Sequence, residues 1–228
     1  MKKLLAFALV ATLGTASVRA ADSGAPNSEQ VVRVETCEAI LREFMANPAT
    51  AIPPAVWQQA RGVMILDQFK AGFIFGVKAG YGVIMVKRPN GHWSLPVLID
   101  ASEASLGLQV GAKSVNTVCI ITDDATPRLL FTSQYNIGVD AKAVAGPSSA
   151  EYDNEAKTTF IAPVLVYTRS AGLFAGATVK AGHVQRNDGA NFLLYNTSYT
   201  MPELLYSDWV TPPPEVQPIM AYVQQLAP

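Results

Sequence analysis

Hydrophobic positions in the segment VVRVETCEAILREFMA recur three or four residues apart, at Val34, Cys37, Leu41 and Phe44. That spacing gathers them on one stripe of an α-helix. Asn27 or Ser28 can cap its start, Glu38 and Arg42 can pair across one turn, and Asn47-Pro48 stops it. The stripe predicts a helix packed on a core rather than one lying in a membrane interface. Ile52-Pro53-Pro54 then opens a short helical or irregular stretch through Trp57 and Ala60.

From Gly62 the pattern shortens into runs rich in Val, Ile and Phe and punctuated by glycine: GVMIL, AGFIFGV, YGVIMV, WSLPVLI, SLGLQVGA and NTVCIIT. Such runs predict strands. Arg88-Pro89-Asn90-Gly91 predicts a chain reversal between YGVIMVK and HWSLPVLI, because proline fixes φ and Asn-Gly tolerates the positive φ of a tight turn. Asp123-Asp124 can start a short helix around Leu129 and Phe131. Further strands are expected at YNIGVDA, FIAPVLVYT and GLFAGATVKAG. Asp188 is expected to cap a second short helix through Phe192 and Tyr195. Pro212-Pro213-Pro214 separates the body from a last helix, Glu215 to Leu226. The fold class expected is α+β: a strongly curved, mostly antiparallel, glycine-rich sheet or barrel-like body, flanked by the N-terminal helix and C-terminal helices. Short turns between strands favour the antiparallel arrangement.

One pattern repeats. AGFIFGVKAG, from Ala71, returns as AGLFAGATVKAG from Ala171, each behind a cation, Lys70 and Arg169. Glycine inside a strand is expected where backbones approach closely, a sheet bends sharply or a ligand lies on it. The repeat makes Lys70 and Arg169 candidate headgroup contacts, with Phe73, Phe75, Leu173 and Phe174 as candidate apolar contacts.

Composition narrows the function. Half of the 228 residues are hydrophobic and 15% are charged, enough apolar side chain for one sizeable core. The opening MKKLLAFALVATLGTASVRA has two lysines, an apolar run and a small-residue ending, the pattern of a signal peptide cleaved after Ala20. The domain organisation expected is a signal peptide at 1–20 and a single domain at 21–228, with a proline-rich joint and terminal helix at 211–228. The mature protein is expected to be exported, periplasmic or secreted. Loss of Lys2, Lys3 and Arg19 leaves 14 cations against 18 anions, and no Lys/Arg-rich run follows residue 20, which argues against nucleic acid as a partner.

Catalytic motifs are missing. The chain holds no Gly-x-Ser-x-Gly elbow, no phosphate-cradling Gly-x-x-x-x-Gly-Lys and no His-Glu-x-x-His. His92 and His183 read as surface or edge residues, and neither Asp123-Asp124 nor Asp153-Asn154-Glu155 follows a calcium-loop pattern. No enzyme activity, cofactor or metal is expected. Cys37 and Cys119 both fall on apolar stretches; an oxidising compartment allows a disulfide between them, and buried thiols also serve as small apolar fillers.

The helix VVRVETCEAILREF, followed by ARGVMILDQFKAGFIFG, YGVIMVKRPNGHWSLPVLI, LGLQVGA, YNIGVDAKAVAGP and YTRSAGLFAGATVKAG, resembles the SYLF-domain family of Las17-binding, actin-regulator-like proteins over residues 31–226. Its sharpest parts are Lys70-Ala71-Gly72-Phe73, Asn90-Gly91-His92-Trp93-Ser94, Ala145-Gly146-Pro147 and Gly172-Leu173-Phe174-Ala175-Gly176. The resemblance implies a non-enzymatic module that binds membrane lipids, phosphoinositides in eukaryotic members, here in an exported bacterial-type member. Ala101-Ser102-Glu103-Ala104-Ser105 replaces a glycine-rich run usual in the family, and Ala171 stands where many members carry a cation. The expected partner is a phospholipid or other amphiphile at a peripheral membrane contact. An exported protein does not meet actin in its own cell, so actin is not an expected partner. The competing expectation is a protein-interaction or envelope scaffold that displays its loops and the Trp209-to-Pro214 tail, its protein partner unknown.

Overall fold

The computed structural model describes residues 28–48, 51–72, 75–106, 111–132, 134–136, 143–146, 162–170, 173–174 and 182–228. The expected signal peptide lies outside the described residues. The first helix, α1, spans Ser28–Ala46 and buries Val34, Cys37, Ile40, Leu41 and Phe44, each large apolar side chain worth about 1.5–3 kcal/mol when fully buried. Arg42 donates to Glu38 at 2.7 Å across the expected turn. The short helix α2, Pro54–Gln58, seats Trp57 in the core.

Among the described residues nine strands form one sheet: β1 Gly62–Gly72, β2 Phe75–Val86, β3 Val97–Leu106, β4 Gly111–Ile121, β5 Gln134–Asn136, β6 Ala143–Ala145, β7 Val164–Ser170, β8 Leu173–Phe174 and β9 His183–Arg186. Their order is β5-β9-β3-β2-β1-β4-β7-β6, with β8 against β7, and every pairing is antiparallel except β6 with β7. The order β4-β1-β2-β3 is that of a Greek key. Among the described residues the sheet does not close, since β5 and β6 are its two edges.

The curvature has a local cause. In register, Gly80 stands opposite Gln68 and Gly82 opposite Leu66. A Cβ at Gly80 would lie 1.9 Å from the Asp67 carbonyl oxygen, and one at Gly82 2.2 Å from that of Ile65. The β1 backbone therefore leans over the side of β2 from which those Cβ atoms would project. The sheet creases there, and the face carrying Leu66 and Gln68 is concave. Period-2 alternation puts Met64, Leu66 and Gln68 of β1, Ile84 of β2, Val97 and Ile99 of β3, and Val115, Thr117 and Cys119 of β4 on this face, all buried. The opposite, convex face carries Val63 and Ile65 of β1, Val83 and Met85 of β2, and Val118 and Ile120 of β4. It lies under α1, whose Cys37 thiol approaches the Ile65 carbonyl at 3.7 Å. Three arginines fasten this helix: Arg33 lies 5.1 Å from the Tyr81 ring centroid, Arg42 4.1 Å from that of Tyr222, and Arg169 5.6 Å from that of Phe44.

Several local expectations shift. GVMIL and AGFIFGV do not form separate strands, because β1 runs through the polar residues Asp67, Gln68 and Lys70 before reversing. Arg88-Pro89-Asn90-Gly91 makes the expected turn, with Gly91 at φ 81° and its N–H donating to the Arg88 carbonyl at 2.9 Å. Beyond it, WSLP is not continuous strand: Trp93 bridges Lys87 alone, the Ser94 hydroxyl accepts from Val86 N–H, and Pro96 has no N–H to donate. Thr126–Thr132 is a 3-10 helix opened by the Asp123 carboxylate, which accepts from the N–H groups of Ala125 and Thr126 at 2.7 Å. Asn187, not Asp188, caps α3, Asp188–Tyr195, because its amide oxygen reaches Ala190 N–H. Helix α4, Met201–Tyr206, was not anticipated, although Thr200 and Glu203 form a capping box readable in the sequence. After the prolines, a 3-10 turn at Pro214–Val216 leads into α5, Gln217–Leu226.

Candidate functional site

Strand register assembles a row of cations that linear spacing hides. Lys70 on β1 stands directly opposite Lys78 on β2 and Lys113 on β4, and Lys78 in turn stands opposite Glu103 on β3. Cross-strand partners point to the same face, so the three lysines form a line across three adjacent strands on the concave side. Lys113 is exposed, Lys70 half-buried and Lys78 buried. Like charges opposite one another destabilise a sheet. The chain reverses from β1 to β2 and passes from β3 to β4 at this same end. Lys78 and Lys113 were missed in the sequence because only the pairing of β1 with both neighbours makes them adjacent.

The candidate residues of the repeat do not converge. Arg169 pairs with Asn116 on β4, which pairs with Asp67, and so lies on the convex face. There its guanidinium forms an ion pair with Glu43 and covers Phe44, so it anchors α1 while Lys70 lies across the sheet. Phe73 lies outside the described residues. Phe75 opens β2 opposite Leu106, and Leu173 and Phe174 form β8 opposite Ser170 and Arg169; only their backbones are described. Both copies of the repeat therefore accompany an antiparallel strand pair, β1 with β2 and β7 with β8.

Cys37 and Cys119 are buried free thiols on opposite sides of the sheet, without the disulfide that the sequence left open. Burial holds the Cys37 thiol far above its ordinary range and pushes Cys119 up to about 12, with the cation of Lys78 pulling the latter back. A thiol so held is a poor nucleophile. Among the described residues no three His, Cys, Asp or Glu side chains gather as a metal site, and no helix is long and apolar enough to cross a membrane.

At the far end of the sheet the C-terminal segment is part of the body. Val216, Ile219, Val223 and Ala227 are buried, and the Trp93 indole donates to the Ala227 carbonyl at 2.8 Å. Arg88 forms an ion pair with Asp208 and donates to the Leu205 carbonyl at 2.9 Å, beside a groove of about 440 Å³ that His92, Trp93 and Gln224 help to line. The tail is thus not a free display segment, except at Trp209, which is 64% exposed and packs on Tyr199 with ring centroids 5.3 Å apart.

Residues 102–226 match the family model described as Ysc84, Las17-binding protein actin regulator. The chain is similar to LAS seventeen-binding protein 3 of Saccharomyces cerevisiae, 34% identical over 179 residues that cover 77% of this chain and 39% of the relative. Protein YSC84 of the same yeast is 32% identical over 179 residues, 77% of this chain and 38% of the relative. SH3 domain-containing YSC84-like protein 1 of Homo sapiens is 28% identical over 181 residues, 77% and 52% of the two chains. The chain spans roughly two fifths to one half of the length of these relatives. No solved structure matches. These findings correct the expectation that set actin aside, since the matching family is described as actin regulators and a relative is named for binding Las17.

Proposed function

We infer, because the chain belongs to the Ysc84 family of Las17-binding protein actin regulators, that it is a non-enzymatic binding module that docks peripherally on anionic phospholipid through the lysine end of its sheet. The observation that carries this reading is the row Lys113, Lys70 and Lys78 on three adjacent strands. Such a row costs stability in the free protein, and phosphate groups held against it turn that cost into attraction. A lysine near an anionic membrane surface contributes about 1 kcal/mol, screened within a Debye length. In this reading Phe73 and Phe75, close to Lys70 in sequence, supply apolar contacts. Export, with cleavage after Ala20, belongs to the same proposal and is checked by N-terminal sequencing of secreted material. Flotation with phosphatidylcholine vesicles, with and without phosphatidylserine, tests the docking. Binding that needs the anionic lipid and weakens with salt supports it; equal binding to both compositions refutes it.

A second reading, docking to an actin-regulatory protein of the Las17 class, is favoured by the names of the relatives and by the exposed Trp209–Tyr199 pair beside Pro212-Pro213-Pro214. Exposed aromatic side chains of this kind are common interaction anchors. Trp209→Ala would abolish capture of such a partner and leave vesicle flotation unchanged.

A further inference from the structure

The concave face contains two buried polar side chains with no internal hydrogen-bond partner. Gln68 is 1% exposed, and neither its Oε1 nor its Nε2 is hydrogen-bonded; the buried Thr117 hydroxyl is also without a partner. Thr117 pairs with Leu66, and Gln68 with Val115, so Gln68 and Thr117 are diagonal neighbours on adjacent strands and share the concave face. Thr168 of β7 stands opposite Thr117 on that face, and Gly80, which has no side chain to cover the amide, stands opposite Gln68. Lys78 follows one step along β2, only 6% exposed. Buried polar groups in folded proteins are almost always paired, and each orphaned one carries its full desolvation penalty. Three orphaned atoms on one face therefore mark a place built for an occupant.

The chemistry around them specifies that occupant. Gln68 Nε2, the Thr117 hydroxyl and the Lys78 ammonium are all donors on the same face. Lys78 belongs to a row of three facing lysines, which favours an anion over a neutral water molecule. Leu66, Val115 and Cys119 border the donors with apolar surface. We propose that Gln68, Thr117 and Lys78 form an interior site for the oxyanion head, carboxylate or phosphate, of an anionic amphiphile. The site uses buried side chains, whereas vesicle docking uses the half-buried Lys70 and the exposed Lys113, so the two can fail separately.

The test is calorimetric titration of the full chain with dodecanoate, dodecanol and inorganic phosphate, alongside thermal melts of the free protein and of Gln68→Leu and Thr117→Val. Dodecanoate is expected to bind the parent protein, with dodecanol much weaker. Comparable binding of inorganic phosphate would support the oxyanion site with a free anion as its source. Gln68→Leu is expected to raise the melting temperature of the free protein, by removing orphaned polar atoms, while weakening dodecanoate about tenfold or more. Thr117→Val, nearly isosteric, is expected to weaken it severalfold and serves if the first variant does not fold. Lys70→Gln/Lys113→Gln is expected to lose vesicle binding and keep dodecanoate affinity. Failure of every probe to bind, equal affinity for dodecanol and dodecanoate, or unchanged affinity in both interior variants would overturn the proposal.

Discussion

Replacing Lys70 by Gln separates charge function from fold more cleanly than any other substitution in the sheet. Lys70 faces Lys78 on one side and Lys113 on the other, so one substitution removes two like-charge contacts. Cross-strand pairs contribute about 0.2–1 kcal/mol each, and the exposure of Lys113 places its contact at the low end through solvent screening. Lys70→Gln is therefore expected to stabilise the free protein by about 0.5–1 kcal/mol. Adding Lys113→Gln removes a second cation, this one exposed, and no further facing pair. At about 1 kcal/mol per lysine near an anionic surface, the double variant should bind phosphatidylserine vesicles about thirtyfold more weakly. Stability and binding thus move in opposite directions. Urea denaturation gives the first quantity and vesicle co-sedimentation at low salt the second. A double variant that is less stable than the parent and binds vesicles equally well would refute the reasoning, because the row would then be structural.

Two further substitutions probe the framework. Gly80→Ala forces a methyl group against the Asp67 carbonyl, a backbone atom that cannot swing aside, and should cost about 3 kcal/mol in urea denaturation; Gly62→Ala, whose nearest contacts are 3.2 Å, should cost much less. Both thiols should resist alkylation in the native state and react on unfolding, and intact mass should be unchanged by reduction. Because burial raises the Cys119 pKa from 9.0 to about 12 and that of Cys37 further, the folded state disfavours the thiolate. Their contribution to stability is complete below about 9 and is lost as pH rises from 9 towards 12, as the unfolded chain releases protons first. Across that range the denaturation midpoint of the parent should fall relative to that of Cys119→Ala, and midpoints that stay a constant distance apart would refute this account.

The helices and the strand content were legible because each rests on local chemistry. The stripe of Val34, Cys37, Leu41 and Phe44, the Asn90-Gly91 turn and the proline stop before α5 are each written within a few consecutive residues. Where reading failed, the cause was a competitor of similar local strength. Asn187 out-competed Asp188 as a cap because its amide oxygen reaches Ala190 N–H. Pro96 and the Ser94 hydroxyl interrupted a run whose apolar content suggested continuous strand.

The candidate site was legible only in part, for a different reason. Lys70 was found from a repeat along the chain, but the same repeat also nominated Arg169, and pairing parity decides between them. A residue's face depends on which neighbour it pairs with and in which register, and a shift of one position would exchange the two faces. With the observed register, Lys70 falls in line with Lys78 and Lys113, while Arg169 falls on the side where Glu43 and Phe44 hold it. The glycines that fix this geometry, Gly80 and Gly82, were visible as strand glycines, yet their effect depends on the carbonyls of Asp67 and Ile65 that they face. The crease they allow brings Gln68, Thr117 and Lys78 together on the concave side of the sheet. Non-local pairing thus produces both the cation row and the buried interior donors, so replacing Gly80 should disturb both at once, whereas replacing Arg169 should loosen α1 and leave both intact.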